Sequence, residues 1–161
     1  MRPHEIFAAM SQEHCEAFFG RLAKESPMTF NQALAGAAEA MNSRPGYLLK
    51  QPMDKRVTAV RRSLSRVVAR ALAEEILAVY FLECRKDLLT DWLDRLGLQH
   101  EDGILEEDQP KSPPDDRLRK EIEAFRRQDD SLDRELLLRT FSAQSAIDWP
   151  VLDALIEAGP D

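Results

Sequence analysis

Residues 76–82 form an unbroken apolar run of seven, in a chain whose other apolar residues recur at helical spacing. A helix turns about 100° per residue, so such a run leaves no polar face, and a helix apolar on all sides is buried on all sides. Spanning a bilayer takes about 20 apolar residues. The stretch must therefore be enclosed by other parts of the chain, as the centre of a bundle or as a face completed by a second copy. Just before it, Val57, Val60, Leu64, Val67, Val68 and Ala71 fall on one stripe, with Lys55, Arg62, Arg66 and Arg70 on the opposite face. Together these patterns predict one long central helix over residues 53–84.

The remaining segments also read as helices, and none shows strand alternation bounded by hairpin turns. HEIFAAM near the N-terminus can form a short helix. Ser11 offers an N-cap for residues 12–25, where Cys15, Phe18, Phe19 and Leu22 share a face. Pro27 ends that helix, and Thr29 can cap the next, running to about Met41. Its alanines (Ala33, Ala35, Ala37, Ala38, Ala40) and Gly36 would let a neighbouring helix approach closely. Residues 42–46 read as a turn, and 47–50 as a single helical turn before Pro52.

After Asp87 the pattern resumes, with Leu88, Leu89, Trp92, Leu93 and Leu96 on one face. Gly97 is placed as a C′ glycine, and Leu98 supplies its usual hydrophobic contact. Asp102-Gly103 reads as a tight turn. EEDQPKSPPDD reads as a linker. Beyond it, Leu118, Ile122 and Phe125 mark a helix over 117–127, a second covers 132–144, and Asp148 caps a third that Gly159 ends. The expected fold is thus all-α, a single-domain bundle of about seven helices around the long central one. Residues 1–105 make the main bundle, 106–116 a flexible acidic linker, and 117–161 three short helices docking on the bundle.

Charge is unevenly distributed. Residues 44–70 carry eight basic side chains against one acid, whereas residues 71–116 carry four against thirteen, in a chain of net charge −7. Such segregation makes a local positive field, which bears on partner choice and association rate rather than on fold. Lys55, Arg62, Arg66 and Arg70 are therefore the candidate binding residues, since guanidinium forks suit carboxylates and phosphates. The competing account is a face neutralised internally by Glu74, Glu83, Asp87, Asp91 and Asp94.

Little else points to chemistry. No Glu-x-x-His pair precedes any of the three histidines, and no zinc-type cysteine spacing exists. His14 and Cys15 are adjacent and diverge on a helix, which disfavours joint chelation. Cys15 and Cys84 lie in apolar helical patterns, as buried thiols do in a reducing compartment. The acidic loop around His100 lacks an EF-hand ligand pattern. Glu75 needs a partner if buried and has no second acid–base group beside it. Nucleophile-elbow, Walker A and dinucleotide glycine signatures are missing too. The expectation is a cytoplasmic, non-enzymatic binding or adaptor protein, without cofactor or metal, acting on a protein partner or anionic ligand and open to homodimerisation. One alternative is a DNA- or RNA-binding regulator using the same basic face. A helix-turn-helix over 30–60 would need a shorter turn than Arg44-Pro45-Gly46 allows, and a pI near 5.1 opposes nucleic acid. The other alternative is a small-molecule enzyme or sensor with a pocket lined by Phe18, Phe19, Tyr80 and Trp92.

Overall fold

A computed structural model describes Met1–Pro160, and among these residues the chain is all-α with one small β-hairpin. It forms two compact units, one spanning Arg2–Cys84 and the other beginning at Arg85. This division falls earlier than the 1–105 bundle expected from the sequence. The charge divides with it. The first unit holds eleven basic and nine acidic residues, and the rest of the chain eleven and twenty.

The first unit contains α1 (Pro3–Ala9), α2 (Gln12–Glu25), α3 (Pro27–Ala40), α4 (Pro45–Leu49), α5 (Met53–Leu64) and α6 (Arg70–Val79). Ser11 caps α2 by accepting the His14 N–H at 3.1 Å. α3 starts at Pro27 rather than after Thr29, because a proline at the first helical position has its φ preset and lacks only an N–H that would be unpaired there. The interior is aromatic. Phe18 stacks on Tyr80 at 4.1 Å between ring centroids and meets Phe19 edge-on at 4.9 Å, while Phe7 contacts both phenylalanines.

The long central helix expected over 53–84 is not present. α5 ends at Leu64, a 3-10 turn follows at Val67–Ala69, α6 runs to Val79, and a π-helical turn covers Tyr80–Cys84. The reason is geometric. At about 100° per residue on one straight helix, the buried face of α5 (Val57, Val60, Leu64) and that of α6 (Ala73, Ile76, Leu77) would lie roughly 180° apart. One core cannot receive both unless the chain breaks between them. Ser65 makes the break locally, its hydroxyl donating to the Arg61 carbonyl at 2.7 Å and competing with helical bonding. Arg66 is then extended, with φ −86° and ψ 143°. Consequently Val67 and Val68, assigned from the sequence to the core stripe, are 67% and 81% exposed.

The run 76–82 is also less enclosed than expected. Ile76, Leu77, Tyr80 and Phe81 are buried, but Ala78, Val79 and Leu82 are only half-buried. Apolar character on every side required a cover on every side only if the helix stayed regular. The π turn shifts the register and lets Tyr80 and Phe81 both face inward.

The second unit holds α7 (Lys86–Leu96), the hairpin β1 (His100–Glu101) and β2 (Ile104–Leu105), α8 (Asp115–Arg126), α9 (Ser131–Ala143) and α10 (Pro150–Ala158). Gly97 closes α7 in the left-handed region, with Leu98 N–H reaching the Leu93 carbonyl and Gly97 N–H that of Asp94. At Asp102-Gly103 both residues have positive φ, as a two-residue hairpin turn of the primed type requires. The helix most nearly buried all round is α9, where Arg134, Leu136, Leu137, Leu138, Thr140 and Phe141 all avoid solvent. Trp92 packs against Phe125 and Phe141, and Phe141 against Trp149. The tract 106–116 has little regular structure, yet Pro110 is buried and its carbonyl accepts the Trp149 indole N–H at 2.9 Å.

Two arginines that look alike in the sequence do different work. The Arg61 guanidinium donates to the Phe7, Ala8 and Met10 carbonyls at the end of α1, where a cation also meets the negative pole of the helix. Its neighbour Arg62 faces solvent. Arg61→Ala should lower stability by about 1–2 kcal/mol, and Arg62→Ala by less than about 0.5 kcal/mol, in urea unfolding. Equal losses would mean that the α1 cap contributes nothing.

Candidate functional site

α3 and α5 make the most extensive helix–helix contact of the first unit. Small residues on α3 let its neighbours approach closely, and a Cβ at Gly36 would stand 3.1 Å from the Leu72 side chain of α6. Along one edge of this contact runs an open groove of about 470 Å³. Its α3 wall is Ala37, Ala40 and Met41, spaced i, i+3, i+4. Its α5 wall is Lys55, Thr58, Ala59, Arg62 and Ser63, with Arg66 beyond the helix end. The floor is therefore mostly methyl groups and a thioether, with the hydroxyls of Thr58 and Ser63 among them, and the rim is three cations.

Of the four sequence-derived candidates, Lys55, Arg62 and Arg66 line the groove, and Arg70 does not. The helix break explains the difference, because Arg70 begins α6 instead of extending the α5 face. All four are exposed. Among the described residues none of the four has an ion pair or a side-chain hydrogen bond. Several of the acids that could have neutralised them are engaged in the second unit. Asp87 binds Arg85, Asp91 binds Arg95 and Arg134, and Asp94 binds His100. The α3 wall was not identified from the sequence. Its alanine richness signalled close approach, but not which helix would approach.

Other charged clusters hold the second unit together. Buried Arg85 gathers Asp87, Asp130 and Asp133 at 3.1, 3.0 and 2.8 Å. Burial alone would lower the Arg85 pKa, but its hydrogen bonds to Asp87 and Asp130 carry it well above the usual value. The same bond from Arg85 holds the Asp87 carboxyl below its ordinary range, against the opposing effect of burial. Arg126 grips Glu135 with two bonds of 2.8 Å, and Arg134 lies 4.5 Å above the Phe125 ring. At the hairpin, the Gly103 N–H donates to His100 Nδ1 at 3.1 Å, which leaves Nε2 to carry the proton toward Asp94 at 2.7 Å.

No reactive centre emerges from the remaining candidates. Burial, followed by the nearby Glu25 carboxylate, pushes the Cys84 thiol up to about 11, and burial raises Cys15. Phe18, Phe19 and Tyr80 fill the core of the first unit, while Trp92 belongs to the aromatic cluster of the second. Among the described residues, no three His, Cys, Asp or Glu side chains converge as a metal site would need, and no helix is long and apolar enough to cross a membrane. Comparison with protein-family models, curated proteins and solved structures found no match.

Two outcomes follow from these clusters. Arg85→Met leaves three carboxylates facing one another, and should cost about 2–3 kcal/mol at neutral pH, at and below the lower end of the range for breaking buried pairs because Asp87 and Asp130 reach solvent. Asp87 has a depressed native pKa, so its pairing stabilises the fold above the unfolded carboxyl value of about 3.9 and is lost as pH falls through the native value. The wild-type advantage over Arg85→Met should thus shrink on acidification below about pH 4. An advantage unchanged at low pH would show that the carboxylates do not interact with Arg85. In the native protein both thiols should react slowly with a disulfide reagent at neutral pH, and rapidly once urea unfolds the chain. A native thiol reacting at the unfolded rate would overturn the burial argument.

Proposed function

We propose that this protein is a non-enzymatic binding or adaptor protein that receives an anionic partner in the groove between α3 and α5. The observation that carries this reading is the rim of Lys55, Arg62 and Arg66, solvent-facing and unpaired among the described residues, above an apolar floor. Side chains kept for stability in this molecule look different. Arg61, Arg85, Arg126 and Arg134 are each held by two or more oxygen acceptors. A cation without a partner gains little for the fold, and several on one rim raise the local anion concentration and the association rate. A reducing cytoplasmic setting suits the two buried free cysteines.

Arg62→Glu with Arg66→Glu should abolish binding of an anionic partner while the thermal midpoint moves by less than about 3 °C, because exposed substitutions away from packing change stability little. Binding by the unmodified protein should weaken steeply as salt rises. A double variant that unfolds would make these arginines structural. A stable one with undiminished binding would make the groove inert.

A further inference from the structure

We infer that the occupant of the groove is an acidic, amphipathic helical segment of a partner protein, an inference that rests on the binding role proposed above. Three observations select this class. Lys55 and Arg62 stand seven residues apart on α5, so at about 1.5 Å per residue they are roughly 10 Å apart along the helix, and Arg66 continues the cationic row past the helix end. That row spans at least about two helical turns, and a lone phosphate or carboxylate would engage only one end of it. Apart from the Thr58 and Ser63 hydroxyls, the lining between the cations is Ala37, Ala40, Met41 and Ala59, a mostly apolar surface that suits leucine- or methionine-sized side chains better than a sugar–phosphate backbone. Where the rail ends at Arg66, the chain also presents Val67 and Val68 to solvent, a second apolar contact that serves no core.

The charge of the unit that carries the groove discriminates further: outside the three rim cations it holds eight basic and nine acidic residues. A long polyanion such as duplex DNA, or an anionic membrane, would gain little attraction from that unit beyond the groove. A short acidic helix would be attracted by the rim and would extend little past it. Its carboxylates would pair with Arg62 and Arg66 on one side, while its apolar stripe displaced water from the alanine floor.

The test is fluorescence anisotropy on the full chain with three labelled probes at about 50 mM salt. One is a three-turn helical peptide with leucine along one face and glutamate elsewhere. The second replaces each leucine by glutamine at the same charge, and the third is a DNA duplex. The leucine peptide should bind at least about tenfold more tightly than the glutamine peptide. Ala40→Trp fills the floor from an exposed position without touching a cation. It should weaken the leucine peptide by about tenfold and leave the glutamine peptide unchanged. Met41→Gln, also exposed, serves as a second floor variant, and circular dichroism verifies that both fold. Equal binding of the two peptides, lost together in the Arg62→Glu, Arg66→Glu variant, would overturn the amphipathic occupant and leave the anion-binding role standing. Preferential binding of the duplex would overturn the occupant in favour of nucleic acid. No binding by any probe would overturn both readings.

Discussion

The structure of the first unit depends on one constraint, the opposition of the core faces of α5 and α6. Each helix is amphipathic, and each would bury its face without difficulty alone. Joined as one straight rod they would offer their apolar residues in opposite directions, and only one set could reach the aromatic cluster around Phe18 and Tyr80. Breaking the helix at residues 65–69 lets both sets reach it. The cost is two valines in water and the loss of regular helical bonds over one turn. The benefit is the burial of the set that a straight rod would leave out, Val57, Val60 and Leu64 or Ile76 and Leu77, at about 1.5–3 kcal/mol for each fully buried valine, leucine or isoleucine.

The same break shapes the candidate site. It separates Arg70 from the cationic row of α5, and it places Arg66 past the helix end, where it borders the groove. The basic residues thereby sort into two kinds. Some complete the fold, as Arg61 does at the end of α1 and Arg85, Arg126 and Arg134 do with carboxylates and carbonyls of the second unit. Lys55, Arg62 and Arg66 are exposed, and beside the alanine floor they supply a charged rim that packing does not require. Three of the acids that the sequence offered as neutralising partners, Asp87, Asp91 and Asp94, are engaged within the second unit.

Much of this was legible from residue spacing, and the failures have physical causes. The all-α class follows from helical periodicity, and the caps at Ser11 and Gly97 follow from the chemistry of helix ends. The Asp102-Gly103 turn was readable because so few residue pairs accept positive φ twice. The long helix over 53–84 does not form, although Val67 and Val68 extend the α5 stripe in the sequence. The run 76–82 reads there as burial on every side, whereas the buried face of α6 is the reverse of that of α5. The separate roles of Arg61 and Arg62 were not legible, since a cap on a distant helix leaves no trace in local spacing. The groove itself needed the pairing of α3 with α5, a tertiary fact. Only its cationic rim could be read from one helix.

Backbone chemical shifts of the protein in solution test the central constraint most directly. Met53–Leu64 and Arg70–Val79 should show helical carbon shifts, with Arg66 displaced to values typical of extended backbone, as its φ of −86° and ψ of 143° require. Uninterrupted helical shifts from Met53 through Val79 would contradict the account, because a straight helix there could not bury both faces in one core.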